Sequence, residues 1–497
     1  MCGKESGMEL IVMYVIAALS ICVIGYMLVK KMDIKITLFI IGLVLMYVAI
    51  ATGHGLAIKD FKPSSTPLLD PLLAIIAMFK STLTGAGLVM LFLGGYTSYM
   101  SSIGANDATV SALAKPIAHV RSPYILVPIV FLLGNLLSLV VPSASNLAII
   151  LLATLYPVLR RSGMSALTAA AVIATTATIM PTPLGADNVA ITAELAKYPM
   201  FENLTVSQYV FGYHALVSIP TLIFMAVVHY FWQKFMSKRA DQTVTTQNSS
   251  KSKDQADEAA DKSHTAQKNS DTAKDEIKGV FHALYAVLPL LPIVLLVVAY
   301  IAKICCGVSI TMSVELATLI SFIIALVCDA LRRKDMHEAL GKTETFFKGM
   351  GSMLPIIALL VAAMIYVVGL KSIGLIASLE AMMTGMSGNG LGFVLPLILV
   401  GLTALIVLLS GSGVALFYAM VPLIPALAQA AGISPIAVSI PMGMAGNLLR
   451  AVSPVSAVIM IVSGTTKTSP LDVVKRVSVP MLLGCVFMFV LSMVLFI

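Results

Sequence analysis

Long runs of apolar residues fill most of the chain, and the stretches between them carry most of its lysine, arginine, aspartate and glutamate. Runs near or above about 18 apolar residues can cross a bilayer as helices. They predict spans near residues 9–29, 36–54, 84–100, 165–196, 210–232, 280–302, 309–331, 346–369, 434–465 and 476–496. The spans at 165–196 and 434–465 are interrupted by small polar residues and proline, and two further apolar segments, 122–159 and 391–430, are each broken in the middle. The first break reads Pro142-Ser143-Ala144-Ser145-Asn146 and is followed, in the next span, by Met180-Pro181-Thr182-Pro183. The second reads Ser410-Gly411-Ser412-Gly413 and is followed by Asn447-Leu448-Leu449-Arg450-Ala451-Val452-Ser453-Pro454. Interruptions at matching places in two halves of a hydrophobic chain point to the midplane binding site of a secondary transporter.

Charge sets the expected topology. If 122–159 and 391–430 are re-entrant hairpins, eighteen basic residues fall on one side of the membrane, among them Lys30, Arg121, Arg160, Arg161, Arg333 and Arg476. Seven fall on the other: Lys4, Lys59, Lys62, Lys80, Lys197, Lys303 and Lys371. The richer side is then cytoplasmic. The first hairpin opens to the cytoplasm and the second to the outside, so the halves are inverted repeats of five spans and one hairpin each, with both termini outside. Matches of Phe79-Lys80 with Phe347-Lys348, Ser102-Ile103-Gly104 with Ser372-Ile373-Gly374, Pro157 with Pro425 and Pro183 with Pro454 support the repeat at a near-constant offset. Two ordinary pairs of spans in place of the hairpins are the competing reading. The expected organisation is a first repeat at 1–236, a disordered cytoplasmic linker at 237–279 and a second repeat at 280–497. The linker is rich in Lys, Asp, Gln, Ser, Thr and Ala and has almost nothing to bury.

Within hydrocarbon every peptide N–H and C=O needs a partner, so a broken helix survives where protein or a water-filled cavity satisfies the freed groups. A helix restarting at a break presents unpaired N–H groups with positive partial charge, which suits a carboxylate or phosphate. Candidate binding residues are Ser143, Ser145 and Asn146 at the first tip and Ser410, Ser412 and Gly413 at the second. Thr178 and Thr182 in the first interrupted span and Asn447, Arg450 and Ser453 in the second complete the set. Arg450 is the one basic residue not assigned to a loop or boundary, and its burial costs roughly 2.5–3.5 kcal/mol unless it is paired. Either a substrate carboxylate or a permanent ion pair with Asp187 supplies that partner. Thr175 and Thr176 read as packing residues; for Thr178 and Thr182 packing and cavity lining both stand. Asn146 and Asn447 are candidates for sodium, Asp187 or Glu194 for a proton. Two anion sites and an arginine suit a small dianion.

Composition excludes other classes. With 59% hydrophobic and 11% charged residues the chain is an all-α polytopic membrane protein. The apolar run Leu10 to Val29 is longer than the core of a signal peptide and reads as a retained span. Its net charge of +8 follows membrane topology and implies no nucleic acid. The six cysteines suggest neither a disulfide framework nor a metal site, no cofactor is implied, and the coupling ion is Na+ or H+. Gly341-Lys342-Thr343 lacks the upstream glycine of a phosphate loop, since position 336 is Met, and no HExxH or GxSxG is present, so neither a pump nor an enzyme is expected. An anion channel would show a filter or charged ring.

Five stretches, SIGANDATVSALAKP (102–116), LLATLYPVLRRSGMS (151–165), SGSGVALFYAMVPLIP (410–425), NLLRAVSPVSAV (447–458) and SPLDVVKRVSVP (469–480), resemble the DcuC branch of anaerobic C4-dicarboxylate carriers. The likeness covers nearly the whole chain except the linker. It implies transport of succinate, fumarate or malate across a bacterial inner membrane, by symport or antiport. It further implies the ion-transporter superfamily fold, in which a hairpin-bearing transport domain moves like an elevator against a scaffold that forms a homodimer. Gly413-Val414-Ala415-Leu416 departs from the polar residue and proline usual at the second tip. Pro142 and Asn146 depart from the Ser/Thr/Gly pattern commoner at the first, which leaves open the particular acid. Another organic anion, such as citrate, a monocarboxylate or an amino acid, is the alternative substrate.

Overall fold

The structure, a computed structural model, describes residues 13–497 apart from 17–18, 21–22, 24–25, 28–29, 31, 59–60, 116–119, 121, 249–279, 308–311, 376–377 and 379–391. Every regular element among the described residues is helical. Eight of the helices are long and apolar enough to cross a membrane: Ile34–Ala51, Pro67–Ser102, Val206–Arg239, Phe281–Cys305, Val314–Arg333, Met336–Ser372, Pro435–Thr466 and Pro470–Phe496. The run expected at 9–29 and most of the expected linker lie partly or wholly outside the described residues.

The segments read as broken are broken here. Pro123–Leu137 ends in a turn and a new helix, Ala144–Thr154, begins beyond it. At 1.5 Å per residue the 15 residues of the first arm span only about 22 Å, short of a hydrocarbon layer of about 30 Å, while the return arm continues through Leu155 into the helix Tyr156–Arg161. A Cβ at Gly134 would stand 3.6 Å from Leu151 Cδ1, so the chain has doubled back between the two helices. Val394–Ser410 likewise stops at Gly411, which takes the left-handed conformation (φ 76°) that glycine adopts without steric cost, and Val414–Met420 and Ile424–Ala430 follow. The first interrupted span runs as Ala166–Ala174, an irregular gap, and Ala186–Leu195. Pro181 and Pro183 fall in that gap, where they remove two backbone donors and bias the residues before them to extended conformations. The second interrupted span runs as Pro435–Leu449, a single 3-10 turn at Arg450–Val452, and Ala457–Thr466, with Pro454 in its gap.

Among the described residues both halves contain, in this order, a long helix with an early kink, a broken pair, an interrupted span and a final long helix, with Ala105–Ala114 an additional helix in the first. Their packing also corresponds. Pro123–Leu137 lies on Ala166–Ala174, and Val394–Ser410 on Pro435–Leu449. Ala144–Thr154 packs on Ala457–Thr466 of the other half, and Val414–Met420 on Ala186–Leu195. Across the halves, Ile34–Ala51 packs on Leu354–Ser372 so closely that a Cβ at Gly42 would fall 2.5 Å from the Tyr366 amide nitrogen, the approach that small residues permit between membrane helices. On the far side of that helix Ile36, Ile40 and Val44 form an exposed apolar stripe at helical spacing.

Three expectations change. The span placed at 84–100 starts at residue 67, because the π-helical segment Leu83–Gly87, bent at Gly85, joins Asp70–Thr82 to Leu88–Ser102. The helix Ala215–Asn248 continues past residue 237, where the linker was expected to begin, since nothing in that stretch breaks a helix. Arg476, counted with boundary residues, is only 5% exposed and makes long hydrogen bonds to Thr168, Gln233 and Ser237.

Candidate functional site

The two gaps meet. Arg450, on the 3-10 turn of the second gap, donates from its guanidinium to the backbone carbonyl of Ala177 in the first. Asn447, one turn earlier, donates through Nδ2 to Asp187 Oδ2 at 3.3 Å. Asp187 lies in the first turn of Ala186–Leu195, where a carboxylate is favoured by the positive end of the helix, and its Oδ1 accepts the Asn188 amide at 3.0 Å. The alternative of an Arg450–Asp187 ion pair is therefore not what the structure holds. Among the described residues no carboxylate makes ion-pair contact with Arg450, whose hydrogen-bond acceptor is a neutral carbonyl, and Asp187 acts on it only through space.

Ala177 has a φ of 56°, a left-handed conformation that costs a non-glycine residue about 1–2 kcal/mol. It is held there from the neighbouring broken pair. Asn135, fully buried near the end of Pro123–Leu137, accepts from the Thr178 backbone N–H at 2.8 Å and from Thr178 Oγ1 at 2.7 Å. Its Nδ2 donates to the carbonyls of Phe131 (2.9 Å) and Thr175 (3.4 Å). Gly134 allows this approach, since a Cβ there would fall 2.7 Å from Thr176 Cβ.

The second gap is anchored to the second broken pair in a parallel way. Ser453, fully buried, donates to the Leu408 carbonyl at 3.0 Å. A Cβ at Gly413 would lie 2.5 Å from the Gly446 Cα, and one at Gly411 2.8 Å from the Ser456 Cα, so that tip rests directly on the backbone beside Asn447. Ser410 and Ser412 are exposed, and the Ser410 hydroxyl donates to the Ile406 and Ser412 carbonyls.

Of the candidate residues, the structure thus joins Thr178, Asp187, Gly413, Asn447, Arg450 and Ser453 in one network of contacts around the paired gaps. Thr182 sits at the rim, half-buried, with its hydroxyl accepting from Leu184 N at 3.1 Å and its carbonyl from Asn188 Nδ2 at 2.9 Å. Ser143, Ser145 and Asn146 stand apart from that network. Ser143 caps its own helix by accepting from the Asn146 amide at 3.4 Å, and Ser143 and Asn146 are exposed. Thr175 and Thr176 are buried and turn their hydroxyls to carbonyls of their own helix, as packing residues do. Glu194 lies away from the gaps, paired with Lys197 at 2.5 Å on the wall of a cavity of about 830 Å3 that also takes in Met78, Met364 and Lys371. Asn135 and Ala177 were missed. The only sequence signal for the first is a single amide beside a glycine in the apolar run Leu132-Leu133-Gly134-Asn135-Leu136-Leu137.

The arrangement offers a guanidinium with no carboxylate in ion-pair contact, beside flanking amides and hydroxyls. It can take up an anion, and contains no nucleophile–base pair. Among the described residues no group of three or more His, Cys, Asp or Glu could hold a metal ion.

Known proteins resemble this chain over nearly its whole length. The profile of the DcuC family, C4-dicarboxylate anaerobic carrier, matches residues 8–497. The probable anaerobic C4-dicarboxylate transporter DcuC of Vibrio cholerae is 34% identical over 476 residues, covering 95% of each chain. The anaerobic C4-dicarboxylate transporter DcuC of Escherichia coli K12 is 32% identical over 461 residues, covering 91% of this chain and 90% of its own. Among solved structures, Neisseria gonorrhoeae MtrF aligns with a TM-score of 0.58 at 14% identity over 92% of this chain and 94% of its own. The Alcanivorax borkumensis YdaH transporter aligns with a TM-score of 0.60 at 16% identity over 92% and 97%. At such identities these two neighbours establish a shared fold only.

Proposed function

The chain belongs to the DcuC family of C4-dicarboxylate anaerobic carriers, whose members named above are transporters and not enzymes, and from that premise we propose that it carries C4-dicarboxylates such as succinate, fumarate and malate across a bacterial inner membrane. The observation that carries this reading is Arg450, a half-buried guanidinium in a gap between helices whose direct contact is a neutral carbonyl and which no carboxylate among the described residues touches. One substrate carboxylate neutralises that charge and can take both oxygens to the planar fork. The other lies toward the second tip, with Asn447 between the two ends and Thr178 steadying the backbone at Ala177. Ser143, Ser145, Asn146, Thr182, Ser410, Ser412, Gly413 and Ser453 complete the proposed surround.

Transport is by alternating access, coupled to Na+ or H+ or run as exchange, with Asn146, Asp187 and Asn447 as the ion-coupling candidates. The broken pairs are re-entrant hairpins: the first arm of the first pair, at about 22 Å, is short of the hydrocarbon layer, and the basic residues then segregate to one side. The repeated element order and the reciprocal packing of the hairpin arms support two inverted repeats with outside termini and a cytoplasmic linker. An elevator-type movement of a hairpin-bearing domain against a dimeric scaffold fits that arrangement.

Radiolabelled succinate uptake into proteoliposomes, with unlabelled acids as competitors and imposed sodium or proton gradients, tests the proposal. Uptake should saturate, show counterflow and be lost in Arg450→Ala. Normal uptake by that variant removes Arg450 from the site, and flux that never saturates makes the protein a channel.

A further inference from the structure

We propose that Asn135 is a positioning residue that fixes the reach of Arg450 and thereby the length of acid the site accepts; the inference rests on the dicarboxylate reading above. Asn135 touches no substrate group. It acts through the backbone it holds: its carboxamide brackets residues 176 and 177, donating to the Thr175 carbonyl and accepting from the Thr178 N–H and hydroxyl. Between those contacts lies Ala177, in the left-handed conformation, and its carbonyl is the acceptor of the Arg450 guanidinium. Without the bracket an alanine at this φ relaxes toward the right-handed or extended regions and its carbonyl turns away. The guanidinium then loses its tether while keeping its charge.

That distinction decides what the site loses. A dianion is recognised at both ends, so discrimination among chain lengths depends on a fixed distance from Arg450 to the donors at the far end. Displacements of about 1 Å at such a site are costly. A free guanidinium still attracts anions but follows whichever carboxylate arrives. Loss of Asn135 should therefore weaken binding of the matched acid and flatten the preference among malonate, succinate and glutarate, rather than merely lower the amount of active carrier.

The test uses the full-length carrier in proteoliposomes, with Asn135→Ala, the near-isosteric Thr178→Val, and the two combined. The readouts are the KM for labelled succinate, the inhibition constants of malonate and glutarate relative to succinate, and the melting temperature. Asn135→Ala should raise the succinate KM about tenfold, the scale of one buried polar contact, and shrink the succinate preference at least several-fold. Thr178→Val should do the same more weakly. The double variant should match Asn135→Ala, because both changes act on one contact and their effects should not add. Partial unfolding lowers every rate alike and leaves the inhibition ratios unmoved. Unchanged ratios in folded Asn135→Ala overturn the proposal, as do additive effects in the double variant. If the alanine variant is not recovered folded, Thr178→Val decides alone, and unchanged ratios there also overturn it. Wild-type carrier that takes up no C4 acid defeats the substrate reading before any variant is made, whereas normal wild-type uptake with unaltered ratios in the variants defeats only this inference.

Discussion

At the scale of single residues, the site depends on one strained alanine and one arginine held by a neutral group. Ala177→Gly removes the steric cost of a φ of 56° and should stabilise the folded protein by up to about 1 kcal/mol, read as a higher melting temperature in detergent. Arg450→Lys keeps the charge and loses the planar fork, so the succinate KM should rise at least about tenfold while the melting temperature holds. An unchanged KM would mean that the fork is not used. Arg450 was legible in the sequence because a guanidinium amid apolar residues is costly enough to require a reason. Asn135 was not, because a lone amide in an apolar helix reads as ordinary packing, and its partners Thr175 and Thr178 lie some forty residues away. The sequence also offered Asp187 as a counter-charge for Arg450, and only the geometry assigns that carboxylate to Asn447.

At the scale of elements, each gap is clasped by a neighbouring broken pair, and the clasp at the second uses glycine against glycine. A methyl at Gly413 would meet the Gly446 backbone at 2.5 Å, and backbone cannot swing aside as a side-chain end can. Gly413→Ala should therefore displace the tip and destabilise by about 1–3 kcal/mol, measured by thermal unfolding, with uptake falling as well. A second buried arrangement sits at the end of Val314–Arg333. There the carboxylate of Asp329, with no exposed surface, accepts from Tyr285 OH at 2.7 Å and from Arg333 Nε at 3.0 Å, with Arg332 at 3.4 Å. Asp329→Ala leaves two arginines without it and should cost about 3–5 kcal/mol, seen as loss of folded yield. The breaks themselves were legible, since proline, glycine and serine punctuate an apolar run in a way that few other patterns imitate. Their exact extents were less so: the helix restart at Ala186 and the kink at Gly85 depend on packing against helices distant in sequence.

At the scale of the whole molecule, the all-helical membrane architecture was evident from the apolar runs. The join between the halves was not, because composition reports where a chain is polar and not where its last helical turn ends. Sidedness has its own test. In a cysteine-free background, Ser162→Cys should react with an impermeant maleimide only from the cytoplasmic face and Met200→Cys only from the outside. Labelling of both from one face would discard the inverted arrangement.

The bond from Arg450 to Ala177, with that from Asn447 to Asp187, has a mechanical corollary. On the proposed reading the cargo's seat is stitched from both halves of the polypeptide, so prising those halves apart would tear its own seams. On that reading the passenger reaches the far compartment with the stitched seat ferried as one piece.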